Sequence, residues 1–227
     1  MQKVAFFDID GTLFRSSLVI ELMEALIREG IFPKKAKDRY IQEHHAWRNR
    51  EGTYDAYIKA VVTSYIEHIK GVHYGDLADV GKMVVSEQGN YVYRYTRDLI
   101  ATLKRDNYYL VAISQSPKTI LDEFCKDYGF NKVYGRIYEI GPQDLFTGKM
   151  IDVHLVENKA NIIARVLEKE DVTTEDSIGV GDTEGDIELL KSVAIPICFN
   201  PNNGLFSEAK KRDWKVVVER KDVIYEL

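Results

Sequence analysis

Two aspartates near the start of the chain, Asp8 and Asp10, follow the apolar run Val4-Ala5-Phe6-Phe7 and precede Gly11-Thr12. An unbroken apolar run of this kind reads as a strand buried on both faces, as in a parallel sheet. Gly11 permits a sharp turn after it. The aspartates are thereby placed at the carboxyl end of a central strand, where open α/β sheets receive their ligands. Two bare carboxylates there repel each other, and a bound divalent cation or a proton kept by one of them relieves the repulsion. Asp and Gly are also ordinary turn residues, so the reading depends on what else the fold brings to the same edge.

Three further stretches supply it. Ser114 ends a second apolar run beginning at Tyr108, Lys159 opens a helix capped by Asn158, and Gly181-Asp182-Thr183-Glu184-Gly185-Asp186 follows the run Ile178-Gly179-Val180. In a parallel sheet these strand ends share one edge, so Asp8, Asp10, Ser114, Asp182 and Asp186 can converge, with Lys159 reaching in. The set suits a phosphoryl group. Carboxylates bind Mg²⁺, and a hydroxyl, a lysine and backbone N–H groups can hold phosphate oxygens. One aspartate can attack phosphorus, and a second can pass protons to and from the leaving and attacking oxygens. Taken singly, Ser114 is an ordinary helix cap, Lys159 an ordinary surface lysine, and Asp182 and Asp186 ordinary first-turn acids. Their joint order along the chain carries the reading.

The elements that must position these groups follow from periodicity. After Leu13 a helix is expected through Leu18, Leu22, Leu26 and Ile27, with Ser16 or Ser17 as N-cap and Gly30 as stop. Pro33 is expected to open a second helix running through Tyr40 to Arg48, and further helices cover Tyr57 to Ile69 and Leu77 to Val85. Beyond them the pattern predicts a helix from Tyr91 to Leu103, the strand ending at Ser114, and a helix from Pro117 toward Gly129. A short strand at Lys132 to Tyr134, a hairpin over 136–155, and a helix from Asn158 to about Lys169 come next. The strand at Ser177 to Gly181, a helix from Glu184 to Lys191, the strand Ile195 to Phe199, a helix from Leu205 and the strand Lys215 to Val218 complete the series. Alternating strands and helices imply an α/β fold with a doubly wound parallel sheet. The expected division is an α/β core of residues 1–14 and 91–227 with an inserted α-helical cap of residues 15–90.

With these residues in order, the chain resembles the haloacid dehalogenase-like phosphohydrolases. Their four motifs look like Asp8-Ile9-Asp10-Gly11-Thr12, the strand ending at Ser114, Lys159, and Gly181 through Asp186. The resemblance implies a Mg²⁺-dependent phosphatase acting on a small phosphomonoester through an aspartyl phosphate, with Asp8 as nucleophile and Asp10 as general acid and base. It implies Mg²⁺ held by Asp8, the Asp10 carbonyl and Asp182, with Asp186 in support, and a phosphoryl group bound by Ser114 and Lys159. The helical insert, and Asn200-Pro201 after the strand Ile195 to Phe199, look like the phosphoserine phosphatase-like subfamily. Phosphoserine phosphatase itself carries a glutamate where Ser16 and Ser17 stand here, and Gly-Gly where Gln115-Ser116 stand. These departures argue against phosphoserine as the substrate. The polar and aromatic insert residues His44, His45, Trp47, Arg48, Arg50 and Tyr54 are candidates for contacting a leaving group, although each also suits a solvated or packed helix face.

Bulk properties narrow the partners. At 227 residues and 45% hydrophobic, the chain can bury a sizeable core. The net charge of −5 without a basic block gives no nucleic-acid surface. Cys125 and Cys198 lack zinc spacing and read as buried reduced thiols. No leader pattern or membrane-length apolar run is present, so the expectation is a cytoplasmic protein without membrane or nucleic-acid partners. A phosphomutase or phosphotransferase would share the same residues and differ in the acceptor. A signalling receiver domain would lack the long insert, and a non-catalytic phosphate-binding module would have no need of Asp8 as a nucleophile.

Overall fold

The computed structural model describes residues 1–154 and 158–227. Its strands form one sheet in the order β4-β3-β2-β1-β5-β6-β7-β8, numbered along the chain. β1 (Gln2–Asp8) lies between β2 (Tyr109–Pro117) and β5 (Val172–Gly181) and is parallel to both. β3 (Lys132–Ile140) continues parallel beyond β2, and β6 (Ile195–Phe199) and β7 (Lys215–Arg220) continue parallel beyond β5. The two outer strands reverse, β4 (Phe146–Ile151) against β3 and β8 (Val223–Glu226) against β7. The doubly wound α/β architecture is the one expected from the sequence.

The chain leaves β1 into α1 (Leu18–Arg28), α2 (Ile41–Arg48), α3 (Tyr54–Ile69) and α4 (Tyr74–Gln88) before α5 (Arg94–Arg105) returns it to β2. The later helices are α6 (Lys118–Lys126), α7 (Lys159–Lys169), α8 (Ile187–Lys191) and α9 (Asn203–Arg212). Alternation along β1 explains its unbroken apolar run. Ala5 and Phe7 face one core, with Leu22 of α1, Leu77 of α4, Leu103 of α5 and Phe124 of α6. Val4 and Phe6 face the other, with Ile162 of α7, Leu189 of α8 and Leu205 of α9. Each of these fully buried phenylalanines contributes about 1.5–3 kcal/mol relative to an exposed one, which fixes β1 as the centre of the sheet. The first core continues without a break into the helical insert, through Tyr65 and Ile69 of α3.

Several expected elements differ in detail. The helix expected from Pro33 to Arg48 is a 3-10 segment, Lys34–Arg39, followed by α2. Tyr40 breaks it at φ −131°, burying its ring while its hydroxyl donates to Glu24 Oε1 at 2.9 Å. The helix expected from Tyr91 begins only at Arg94. Residues 91–93 instead pair with the segment leaving β1, as Arg15 N–H donates to the Tyr91 carbonyl and Tyr93 N–H to that of Leu13, both at 2.9 Å. β3 does not stop at Tyr134. Gly135 lies within it, and a Cβ there would press on Leu121 and on the backbone of Ser116 and Lys118. The glycine thus admits a close approach of α6 rather than ending the strand. The hairpin partner runs Phe146–Ile151, and Leu155, the last residue of the expected hairpin, lies outside the described residues. The helix expected from Glu184 opens as a 3-10 turn, Glu184–Asp186, before α8. The edge strand β8 was not expected, because four residues at a sheet edge carry little periodic signal. Among the described residues no helix is long and apolar enough to cross a membrane.

Candidate active site

The carboxyl ends of β1, β2 and β5 bring the sequence-predicted residues together in two adjoining groups. In the first, the carboxylates of Asp8, Asp182 and Asp186 offer oxygens that all lie within 4.8 Å of one another. Asp8 is the last residue of β1, and Asp182 and Asp186 flank the turn after β5. Lys159, the first residue of α7, reaches in with only 6% of its surface exposed. Its Nζ donates to Asp8 Oδ1 at 2.5 Å and also to Asp186 Oδ1. Asp186 is fully buried, and its Oδ2 accepts the N–H groups of Asp182 at 3.1 Å and Thr183 at 3.0 Å. Every oxygen of Asp186 is thus engaged by the protein. By contrast, Asp8 Oδ2 is buried and has no hydrogen-bond partner among the described residues.

Glycines make this crowding possible. Gly11 stands at φ +85°, and a Cβ there would collide with the Asp182 carboxylate. A Cβ on Gly181 would collide with that of Asp186. Burial, offset in part by Lys159 and reinforced by Asp186 and Asp10, raises the Asp8 pKa to about 7. Asp182 is also raised well above the usual carboxylate range, by burial first and then by Asp8 and Asp186. For Lys159 burial acts to lower the pKa, but Asp186 and Asp8 outweigh it and the ammonium is held firmly charged. Three carboxylates against one ammonium leave two formal negative charges. That donor set fits a divalent cation with oxygen preference.

The second group centres on Asp10, whose carboxylate is not part of the acidic cluster. Its Oδ1 accepts the Leu18 N–H at 2.5 Å, and its Oδ2 accepts the hydroxyls of Ser114 and, at 2.9 Å, Ser116. Ser116 N–H in turn donates to Ser114 Oγ at 2.8 Å, and Val19 N–H donates to Ser116 Oγ at 3.1 Å. Ser17 occupies the N-cap position of α1, as expected, but its side chain makes no capping bond. Asp10 and Ser116 satisfy the first-turn N–H groups instead, since such orphan donors must find partners. Ser114 therefore lies where expected, with its hydroxyl turned toward Asp10.

Ser116 was missed as a site residue. The available signal was the strand period: residues 114 and 116 of an extended β2 point to the same face. Tyr54, one of the leaving-group candidates, is the first residue of α3. Its phenol pKa is raised by burial and then by the carboxylates of Asp10 and Asp182. Its ring lies 5.3 Å from Trp47 and 6.2 Å from Tyr57, centroid to centroid.

A model of haloacid dehalogenase-like hydrolases matches residues 5–191 of the chain. Among curated proteins the chain is 24% identical over 226 residues to a histidinol-phosphatase of Neisseria meningitidis serogroup C, covering 96% of this chain and 99% of that one. Among solved structures, a Bordetella pertussis Tohama I protein of unknown function superimposes with TM-score 0.75 at 18% identity, covering 95% of this chain and 98% of that one. A phospho-aspartyl intermediate analogue of phosphoserine phosphatase gives TM-score 0.62 at 19% identity, with coverage of 97% and 95%.

Proposed function

The chain belongs to the haloacid dehalogenase-like hydrolase family, and on that premise we propose that it is a Mg²⁺-dependent phosphatase working through an aspartyl phosphate on Asp8. The observation that carries the proposal is the buried Asp8 carboxylate, clamped through one oxygen by Lys159 and unpartnered at the other. A carboxylate needed only for structure would have both oxygens satisfied. In this reading residues 15–90 form a cap over a core of 1–14 and 91–227, and the substrate is a small phosphomonoester.

Asp8, the Asp10 carbonyl and Asp182 would hold Mg²⁺, with Asp186 in support. Bound there, the ion neutralises the excess carboxylate charge and draws electron density from the phosphoryl oxygens. Lys159 keeps one Asp8 oxygen fixed, leaving the other to attack phosphorus. The new O–P bond forms as the bond to the leaving oxygen breaks, and Asp10 supplies that oxygen with a proton. Asp10 then takes a proton from a water that attacks the aspartyl phosphate, releasing inorganic phosphate and restoring Asp8. Ser114 and Lys159 bind phosphoryl oxygens, which requires the Ser114 hydroxyl to turn from Asp10 toward the substrate. A phosphotransferase would use the same first half and pass the group to an alcohol instead of water.

The test is turnover of p-nitrophenyl phosphate with Mg²⁺ and with EDTA, together with acid trapping of the phosphoenzyme. Wild-type protein is expected to require the metal and to yield a trapped acyl phosphate, and Asp8→Asn to yield neither product nor trapped species. Full activity in EDTA, or a phosphoenzyme on Asp8→Asn, refutes the proposal.

A further inference from the structure

Outside the acidic cluster, the helical insert carries a recess of about 410 Å³ lined by His44, Trp47, Arg48 and Arg50. His44, Trp47 and Arg48 share one face of α2 by their three- and four-residue spacing, and Arg50 follows at its C-terminus. The wall behind them is aromatic. Tyr57 stacks on His44 with ring centroids 4.9 Å apart and on Trp47 at 5.8 Å. Tyr54 packs on Trp47 with ring centroids 5.3 Å apart, and the charges of Asp10 and Asp182 reach its phenol. Through Trp47 and Tyr54 the recess connects to the candidate active site.

The two permanently charged residues that line the recess are both arginines, Arg48 and Arg50. Arg15, Arg28, Arg39, Arg97 and Arg212 each face a carboxylate. Among the described residues no carboxylate lies within ion-pair distance of Arg48 or Arg50. His44 adds no negative charge, and its pKa is lowered, chiefly by burial and then by Arg48 and His45. Of the α1 acids, Glu24 pairs with Lys37 at 2.7 Å and accepts from Tyr40, and Glu21 accepts from Ser16 and Gln88.

Arg50 also occupies a position that favours another residue. It stands at φ +65°, one residue past the C-cap Asn49. Its N–H bonds the Trp47 carbonyl at 3.1 Å, and the Glu51 N–H bonds that of Ala46 at 2.8 Å. That is the Schellman closure, in which glycine is the usual left-handed residue. An arginine there accepts a backbone cost that glycine avoids, and in return it presents a guanidinium to the recess.

We propose that the recess is the leaving-group subsite, and that it selects phosphomonoesters whose alcohol carries a planar ring and, beyond it, a second anionic group. The ring would lie against the aromatic wall at Trp47 and Tyr54. The distal anion, a carboxylate or a second phosphate, would pair with Arg48 and Arg50, whose forked donors suit either group. An ammonium in the same place would meet two guanidinium charges and no carboxylate. This inference rests on the phosphatase reading above, and it commits that reading to a class of substrate.

The test uses three esters matched at the reacting carbon, benzyl phosphate, 4-carboxybenzyl phosphate and 4-(aminomethyl)benzyl phosphate, with Mg²⁺. Wild-type protein is expected to favour the carboxylate ester over the unsubstituted one by about tenfold in kcat/KM, and to disfavour the ammonium ester. In the double variant Arg48→Gln/Arg50→Gln that ratio is expected to fall to about one, while Arg97→Gln keeps it. A wild-type ratio near one, a preference for the ammonium ester, or a preference that survives the double variant overturns the inference and leaves the phosphatase reading standing. Hydrolysis of neither these three esters nor p-nitrophenyl phosphate defeats the phosphatase reading. The subsite is then decided by titrating 4-carboxybenzylphosphonate against the fluorescence of Trp47, one of two tryptophans in the chain. Saturable quenching that weakens in the double variant supports the subsite, and its absence, or equal affinity in the variant, overturns it. A second phosphate as the natural anion is distinguished by the same ratio measured with 4-phosphonobenzyl phosphate.

Discussion

Titrating the acidic cluster in the presence and absence of Mg²⁺ tests the metal assignment through stability rather than turnover. Burial leaves Asp8 with a pKa of about 7, against an unfolded value near 3.8. A carboxyl whose folded pKa is raised stabilises the fold fully below its unfolded pKa, and that stabilisation is lost as pH rises through the folded pKa. The metal-free protein should therefore lose stability from this group between about pH 4 and about pH 8. Asp182, also raised, acts in the same direction. A cation binding the cluster must displace the proton, so its apparent affinity at about pH 6 should be about tenfold weaker than at about pH 8. Tenfold corresponds to about 1.4 kcal/mol, and for a chain of this size 1 kcal/mol moves Tm by about 2–4 °C. With Mg²⁺ in excess of Kd at both pH values, the Mg²⁺-induced rise in Tm should be about 3–6 °C larger at the higher pH. Differential scanning fluorimetry in MgCl₂ against EDTA, at matched ionic strength, measures it. An equal rise at both pH values, or a larger one at the acidic end, would show that the cation does not compete with the buried proton, and the cluster assignment would fall.

Two further outcomes separate the roles around Asp10. Asp10→Asn keeps the backbone carbonyl but removes proton transfer, so it should cost about 10²–10⁴ in rate on an alkyl phosphate, and distinctly less on p-nitrophenyl phosphate, whose leaving group needs no proton; equal losses on both substrates refute the assignment. Ser116→Ala removes a donor to Asp10 and the acceptor of the Val19 N–H, so it should lower stability by about 1–3 kcal/mol and lower kcat more than it raises KM. Ser116→Thr should restore both, and a KM effect alone would refute a role for Ser116 in holding Asp10.

The legible part of this protein was its sheet and the order of groups along it. Val4 to Phe7 sends alternate side chains into two cores, and only a strand covered on both faces needs an unbroken apolar run. Once β1 is central, Asp8 must lie at the carboxyl edge, and the ends of β2 and β5 must lie beside it. The placement of Lys159 followed in the same way, because a residue opening α7 under that edge has one short path inward. Periodicity reports burial well and backbone breaks poorly. The break at Tyr40 and the late start of α5 are set by tertiary partners, Glu24 in one case and the pairing of residues 91–93 with residues 13–15 in the other, and neither partner is near in sequence.

Side-chain direction inside the site was the least legible feature, for a related reason. Asp8 and Asp10 look equivalent as a pair of carboxylates, yet the strand ends between them. Asp8 is still within β1 and faces Lys159, whereas Asp10 lies in the turn and faces the open N-terminus of α1. That difference supports the different roles proposed for them. Asp8 is fixed through one oxygen by an ammonium, whereas Asp10 is oriented by two hydroxyls and an N–H. Because those donors include the first turn of α1 and the end of β2, the orientation of Asp10 is tied to where the helical insert begins. On the proposed role of Asp10, its proton transfer would depend on the hydrogen bonds at Leu18 and Val19, which lie where the helical insert begins.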